Sequence, residues 1–189
     1  QLAAETDGRV FNYEVKICDD DGRDVGRNAD GEIWVRGPAM MQGYRDADQN
    51  SAAFSADGFF KTGDIGQLLD SEAIVITDRK KDIIIRGGEN LSAREIEEVV
   101  LLHPAVAEAA AVSAPHERLG EGVAVFVTIY GDEAPTLANL TGLCAEQQLA
   151  KQKWPQWLSV VAEMPKTPSG KIQKAALRAQ LKEQGVQLS

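Results

Sequence analysis

The chain has 189 residues, of which 43% are hydrophobic and 26% charged, and its net charge is −9. This composition is ordinary for a soluble globular protein of one moderate or two small domains. No apolar run approaches the roughly 18 residues of a membrane span, and an acidic chain is a poor general binder of nucleic acid. Cys18 and Cys144 lie too far apart for a metal or redox motif, which predicts buried thiols in a reducing compartment.

The first third of the sequence predicts β structure. VFNYEVKICD (Val10–Asp19) partly alternates polar and apolar residues, GEIWVRG (Gly31–Gly37) is a strand between glycines, and QLLDSEAIVITDR (Gln67–Arg79) predicts a hairpin. The run DDDGRD (Asp19–Asp24) has turn chemistry. It lacks the Gly and Glu spacing of a calcium loop. Short strands at this spacing fit a small barrel or an open antiparallel sheet.

The pattern changes at DRKKD (Asp78–Asp82), which predicts a solvated turn or a linker. A short strand with a Gly pair, DIIIRGGEN, follows, and SAREIEEVVLLHP (Ser92–Pro104) predicts a helix. Ser92 and Glu95 have the spacing of a capping box at its start. After this turn, the spacing of the apolar residues therefore changes from that of a strand to that of a helix.

The remainder predicts two strands, a helix, a third strand, a loop and a last helix. The helices are PTLANLTGLCAEQQLAK (Pro135–Lys151) and QKAALRAQLKEQG, and the third strand is PQWLSVVAEMP (Pro155–Pro165). The alanines of the first strand, AVAEAAAVSAP, also suit a helix. Taken together, the elements predict an α+β fold.

The loop PKTPSGKIQK (Pro165–Lys174) ends its turn residues in Lys171. It is not a P-loop, because Pro165 stands where the first glycine belongs and Ile172 where Ser or Thr would bind magnesium. Residues 151–189 hold 7 basic and 2 acidic residues, on an otherwise acidic chain. Two interpretations of this basic segment stay open: a solvated basic surface, or a site for an anionic group.

Four separated stretches resemble one family, the adenylate-forming enzymes: acyl-CoA synthetases, the adenylation domains of peptide synthetases, and luciferases. Their order and spacing are similar to the C-terminal part of these enzymes. The KKDIIIRGGEN form and the plain SGK loop are most similar to short- and medium-chain or cyclic-acid CoA ligases. The stretches are GEIWVRGPAMMQGYRD (Gly31–Asp46), DGFFKTGDIG (Asp57–Gly66), DRKKDIIIRGGENLSAREIEEVV (Asp78–Val100) and PKTPSGKIQK.

The resemblance implies two domains. Residues 1–78 correspond to an antiparallel, barrel-like β subdomain that ends the large domain. Residues 79–189 correspond to a small, mobile α+β lid domain with a three-stranded sheet and helices, and the hinge lies near Asp78–Lys81. The family's upstream phosphate loop is not in this sequence, so the resemblance implies a fragment that is inactive alone.

The resemblance also implies roles in the first half-reaction. Lys171 corresponds to the lysine that bridges carboxylate and phosphate oxygens during adenylation; the alternative is a solvated lysine. Asp64, at the end of KTGD, corresponds to the carboxylate that binds the ribose of AMP; the alternative is a turn aspartate. Arg79 corresponds to the arginine near ribose or phosphate; the alternative is a partner for Asp78 or Asp82.

A second set of residues is implied for the thioester-forming half-reaction. Lys81 falls at the hinge position, and Gly87 and Gly88 correspond to the face that forms the pantetheine tunnel, with an ordinary hairpin as the alternative. Arg86 is a candidate for the CoA phosphates, although a surface arginine is the simpler reading. The sequence departs from some relatives at Ile85, where they carry a lysine, so Ile85 receives no chemical role.

The function that the resemblance implies is an ATP-dependent carboxylate–CoA ligase. Its substrates are ATP, a small carboxylic acid and coenzyme A, and its magnesium ligands lie outside this sequence. The alternatives are an adenylation domain that loads a carrier protein, and a binding module without catalysis. No signal-peptide pattern follows Gln1, so we expect a cytoplasmic protein. No nucleic-acid partner is expected, and the sequence does not decide the acid or the oligomeric state.

Overall fold

A computed structural model describes residues 6–189, which divide into two compact units. The first unit ends at Lys81 and the second runs from Asp82 to Ser189. The division falls at the end of the charged run for which the sequence predicted a turn or a linker. Each unit has its own sheet and its own buried core.

The first unit is built on a sheet of five antiparallel strands in the order β1-β5-β4-β3-β2. One short helix, α1 (Ala47–Ala53), lies between β3 and β4. The strands are β1 (Gly8–Arg9), β2 (Glu14–Cys18), β3 (Gly31–Arg36), β4 (Phe60–Leu68) and β5 (Ala73–Arg79). The predicted hairpin is confirmed as β4 and β5, joined by a tight turn.

Both faces of this sheet bury apolar side chains. Ile17, Ile33 and Leu68 form one cluster, whereas Cys18 and Trp34 pack with Phe59 in another. Successive residues of a strand point to opposite faces, which separates the two clusters. Of the two predicted alternatives, a small barrel or an open antiparallel sheet, residues 6–81 form the open sheet, because β1 and β2 end the strand order without pairing to each other.

The helix α1 was missed by the sequence analysis. Asp46 caps its start by accepting a hydrogen bond from the main-chain nitrogen of Asp48. The helix buries no side chain. It therefore lacks the apolar stripe on which recognition of a helix from sequence depends.

The second unit has five strands in one sheet, with β9 at its centre, and three helices. The predicted three-stranded sheet is corrected to five, because the β6–β7 hairpin joins β9 through the Arg86–Gly120 pair. The strands are β6 (Ile84–Arg86), β7 (Glu89–Leu91), β8 (Val106–His116), β9 (Gly120–Ile129) and β10 (Trp157–Val160); the helices are α2 (Ala93–Val100), α3 (Leu137–Glu146) and α4 (Lys174–Glu183).

The helices of the second unit cover opposite faces of its sheet. Along β9, Val123, Val125 and Val127 pack with residues of α2 and α3, whereas Ala124 and Phe126 pack with α4. This alternation is the period of a strand buried on both faces. It confirms the α+β organisation and places the loop before α4 at the edge of a rigid core.

Ser92 is the N-cap of α2, as predicted, whereas the capping box at the start of α3 was not predicted. The Ser92 hydroxyl accepts from the main-chain nitrogen of Glu95 at 3.2 Å, as expected for an N-cap. Thr136 and Asn139 form a capping box at the start of α3. In residues 6–189, the longest helices have 10 residues, and no helix is long and apolar enough to cross a membrane.

Candidate functional site

The segment that carries Asp64 is a bulge in β4. Glu32 pairs with Ile65 and Trp34 pairs with Lys61, so Thr62, Gly63 and Asp64 lie opposite Ile33 alone. Gly63 has a φ of +73°, a left-handed conformation that favours glycine. A bulge of this kind changes the direction in which a side chain leaves the strand, compared with a regular strand.

Local hydrogen bonds define the bulge. The Thr62 hydroxyl donates to the carbonyl of Ile33 at 2.7 Å and accepts from the main-chain nitrogen of Asp64 at 3.1 Å. The main-chain nitrogen of Gly63 donates to Oε1 of Glu32 at 3.1 Å. Side chains of β3 and β4 therefore determine the direction in which Asp64 leaves the sheet.

Asp64 and Arg79 are brought together by the pairing of β4 with β5. They are direct cross-strand partners, and Nε of Arg79 donates to Oδ1 of Asp64 at 2.7 Å. The alternative partner considered for Arg79, Asp78, accepts from its main-chain nitrogen instead, at 2.6 Å. The Asp64 side chain is 28% exposed and that of Arg79 50%, so the pair faces solvent.

A cleft of about 380 Å³ lies beside this pair, lined by Thr62, Gly63, Arg79, Lys80 and Lys81. Three of the five lining residues are cationic. Burial opposes the charge of Lys80, but its hydrogen bonds to Glu32 and Asp20 outweigh burial and raise the pKa of Lys80 above its ordinary value. Two of these cations are already paired with carboxylates, Arg79 with Asp64 and Lys80 with Glu32 and Asp20, and the exposed lining of the cleft is largely apolar.

Lys171 lies on a tight hairpin in the second unit. Lys166 and Ile172 are bridged, the nitrogen of Thr167 donates to the carbonyl of Lys171 at 2.8 Å, and Gly170 has a φ of +84°. The Thr167 hydroxyl accepts from the main-chain nitrogen of Lys171 at 3.1 Å. Lys171 is exposed, and among residues 82–189 none of the ion pairs includes it.

Gly87 and Gly88 form the two-residue turn between β6 and β7. Their φ values, +60° and +87°, are those of a type I′ turn, which requires a positive φ at both central residues. The turn is therefore sufficient to account for both glycines. Arg86, the residue before them, donates from Nη1 to the carbonyl of Gln152 at 2.8 Å.

The sequence analysis missed two residues of this region, Glu32 and Lys80. Glu32 is a buried carboxylate in β3, and Lys80 pairs with it and with Asp20, each at 3.2 Å. The available signal was a glutamate directly before the apolar run Ile33–Val35 of β3. Within the described part of the chain, residues 6–189, no three His, Cys, Asp or Glu side chains are arranged to hold a metal ion, so no magnesium ligand is assigned here.

Two protein-family models match this chain, one in each unit. Residues 95–171 match the AMP-binding enzyme C-terminal domain, and residues 3–45 match the AMP-binding enzyme family. A 2,3-dihydroxybenzoate-AMP ligase of Bacillus subtilis is 43% identical over 97% of this chain and 34% of its own length. A medium-chain fatty-acid–CoA ligase of Escherichia coli is 37% identical over 92% of this chain and 31% of its own length.

The solved structures agree with the sequence relatives. ATP-bound MatB of Rhodopseudomonas palustris superposes with a TM-score of 0.87 at 32% identity, over 95% of this chain and 36% of that chain. The chain thus spans about a third of the length of the curated relatives that it matches. On these matches, the chain belongs to the adenylate-forming AMP-binding enzymes and carries their C-terminal domain.

Proposed function

We propose that this chain contributes to an ATP-dependent ligase that activates a carboxylic acid as an acyl adenylate and transfers the acyl group to the thiol of coenzyme A. Family membership supports the adenylation step. The similarity to a CoA ligase supports the choice of acceptor. The acid is bound by parts of the enzyme outside this chain.

In the first step, a carboxylate oxygen attacks the α-phosphorus of ATP, the bond to the β-phosphate oxygen breaks, and pyrophosphate leaves with the electron pair. Asp64 binds the ribose through Oδ2, because Arg79 occupies Oδ1. Arg79 and the neighbouring cations of the cleft face the phosphates. Lys171 stabilises the negative charge that develops between carboxylate and phosphate oxygens.

In the second step, the thiol sulfur attacks the acyl carbonyl, the bond to the phosphate oxygen breaks, AMP leaves, and the thiol proton passes to solvent. Residues 79–189 act as the mobile lid domain, and Lys81 acts as its hinge. Rotation at the hinge between the two steps withdraws Lys171 and presents the other face of the lid domain to the active site. The Gly87–Gly88 turn borders the pantetheine tunnel. Arg86, which already donates to Gln152, is the weakest member of this set.

One observation carries the proposal: Lys171 is an exposed cation on a hairpin whose backbone is defined by hydrogen bonds. Its ammonium group is not engaged by any ion pair of residues 82–189. A lysine is a compact point charge on a flexible stem. Such a group can be presented to an anionic intermediate and withdrawn from it without breaking another pair.

The test is carboxylate-dependent exchange of labelled pyrophosphate into ATP by the intact enzyme, over short-chain, medium-chain, aromatic and cyclic acids. We expect Lys171→Ala to lower the exchange rate by about 10²–10³. Lys182→Ala, an exposed lysine on α4, is the matched control and should exchange normally. Normal exchange by Lys171→Ala, or no exchange with any acid, would overturn the proposal.

A second acceptor has an observation in its favour. The 43% identity to an AMP ligase exceeds the 37% identity to a CoA ligase. A salicyl-AMP ligase / salicyl-S-ArCP synthetase of Mycobacterium tuberculosis, 41% identical over 96% of this chain, supports a thiol carried by a protein as the alternative acceptor. Thioester formation with free coenzyme A, measured at a saturating concentration of the acid found above, separates the two acceptors.

A further inference from the structure

Glu32 is a buried carboxylate on β3 of the first unit's sheet, 7% exposed. Acidic side chains are rarely buried this far unless each oxygen has a partner. Oε1 accepts from the main-chain nitrogen of Gly63 at 3.1 Å, and Oε2 accepts from Nζ of Lys80 at 3.2 Å. The two oxygens therefore contact two different segments of the chain.

Those two segments are the ones that carry the candidate nucleotide-binding pair. Gly63 directly precedes Asp64, and Lys80 directly follows Arg79. Asp64 and Arg79 bond to each other, while their neighbours both bond to Glu32. The Glu32 carboxylate thus joins the bulge of β4, at Gly63, to Lys80, the residue that follows β5.

Gly63, at the centre of the bulge, has open space on the side where a side chain would lie. A Cβ built on Gly63 would meet no atom within 4 Å beyond its chain neighbours, so no other side chain packs there. Its left-handed φ of +73° is one that a flexible glycine readily leaves. Together with the β4–β5 pairing and the hydrogen bond from Arg79, the hydrogen bonds to Thr62 and Glu32 hold the direction in which Asp64 leaves the strand.

We propose that Glu32 is a positioning residue for nucleotide recognition: it sets Asp64 and Arg79 in the geometry that binds the ribose hydroxyls, without touching the nucleotide itself. This inference rests on the proposed function of Asp64. Glu32 acts through the nitrogen of Gly63 and the ammonium group of Lys80. Its loss should therefore weaken selection for the ribose diol more than it weakens the chemical step.

The measurement is acid-dependent adenylation by the intact enzyme with ATP and with 2′,3′-dideoxy-ATP, which lacks both hydroxyls. Wild type should prefer ATP by about tenfold or more in kcat/KM, because a charged hydrogen bond is lost with the analogue. Glu32→Ala should raise the KM for ATP and bring the preference close to that of Asp64→Ala. A role limited to overall stability would leave the preference unchanged in the folded fraction.

Two further variants sharpen the test. Glu32→Gln retains an oxygen for Gly63 but presents no charge to Lys80, so its preference should lie between wild type and Glu32→Ala. Glu14→Gln is the matched control, since Glu14 also pairs with a cation across β2 and β3 but is exposed, and its preference should equal wild type. If Glu32→Ala fails to fold, Glu32→Gln carries the test.

Hydrogen exchange gives a direct structural readout on the 189-residue chain. The Gly63 amide of Glu32→Gln or Glu32→Ala should exchange at least about tenfold faster than in wild type, since its acceptor is weakened or lost. Amides of β8 and β9 in the second unit should be unaffected. Unchanged exchange at Gly63 would overturn the positioning role.

The outcomes separate the two proposals. If wild type and Asp64→Ala both accept the dideoxy analogue as readily as ATP, the role of Asp64 fails and the inference fails with it. If Asp64→Ala loses the preference while both Glu32 variants keep it, the positioning role fails alone. If the Glu32 variants lose it together with Asp64→Ala, both proposals stand.

Discussion

Glu97 and Lys174 form an ion pair of 2.8 Å that joins α2 to the first residue of α4, three positions after Lys171. Each side chain is only 16% exposed. The same oxygen of Glu97 also accepts from the main-chain nitrogen of Ala111 in β8, at 2.7 Å. The pair therefore fastens the end of the Lys171 hairpin to the core of the second unit.

Replacing Lys174 by methionine should destabilise the second unit by about 2–4 kcal/mol, because it removes the Lys174 ammonium group from a Glu97 carboxylate that is only 16% exposed. Urea unfolding of the chain measures the change. Lys182→Met, on an exposed position of the same helix, should change the free energy of unfolding by less than about 0.5 kcal/mol. The double variant Glu97→Gln, Lys174→Met should recover part of the loss. Equal values for the two lysine variants would contradict this account.

Thr167→Val should slow adenylation by about 3- to 10-fold, since it removes the hydroxyl that accepts from the Lys171 nitrogen at 3.1 Å. The loss should be smaller than that of Lys171→Ala, because the ammonium group is retained. Ser169→Ala is the control: Ser169 bonds to the Thr167 hydroxyl but not to Lys171. Pyrophosphate exchange measures all three variants, and a wild-type rate for Thr167→Val would show that the hairpin needs no side-chain support.

Gly88→Ala should destabilise the chain by about 1–2 kcal/mol, because alanine resists the φ of +87° at this turn. Gly88→Asn should lower the free energy of unfolding by less than Gly88→Ala does, since asparagine tolerates the left-handed region. Gly142→Ala is the matched control: Gly142 lies within α3 with no atom near an added Cβ, so alanine should stabilise by about 0.5–1 kcal/mol. The urea concentrations at the unfolding midpoints of the three variants rank their stabilities.

The same Gly88 variants test the tunnel. If the turn borders the pantetheine path, Gly88→Asn should slow thioester formation while pyrophosphate exchange stays at the wild-type rate. Equal effects on both half-reactions would point to the turn's stability alone.

The stability of the first unit should depend on Asp57 in acid. Its hydrogen bonds from Lys16 and Ser55 lower the pKa of Asp57 to about 2, from an ordinary value of 3.8. The folded-state pKa is depressed, so this contribution is fully present above about pH 4 and is lost as pH falls through about 2. Asp57→Asn should show a shallower loss of stability over that window in acid-unfolding curves. An identical pH profile would contradict the assignment.

Cys18 and Cys144 should be unreactive in the folded chain. Both are buried, and burial raises the pKa of each thiol, with Asp24 adding to the effect at Cys18. The reactive species is the thiolate. A disulfide reagent at pH 8 should therefore modify neither thiol within minutes, whereas the chain unfolded in guanidinium should react at both. Fast reaction of the native chain, traced with Cys144→Ala, would identify an exposed thiol.

Most elements of the fold could be predicted because their signals are local. The Ser92 cap, the β4–β5 hairpin and the apolar strands β8 and β9 follow from side chains close in sequence. The predicted helix Pro135–Lys151 ends earlier, at Glu146, where the chain turns through Gln148 with a φ of +56°. The five-stranded sheet could not be predicted, because a single pairing, Arg86 with Gly120, decides it.

Asp64, Arg79 and Lys171 are candidates on motif grounds alone, since each lies in a short stretch that resembles the family, and their roles stay predictions. The bond from Arg79 to Asp64, and the place of Glu32 behind it, depend instead on strand register. Residues 32, 63 and 80 are far apart in the chain and meet through the pairing of three strands and one bulge. Long-range pairing is set by the packing of the whole sheet, so the partners of a buried carboxylate emerge only when the chain is folded.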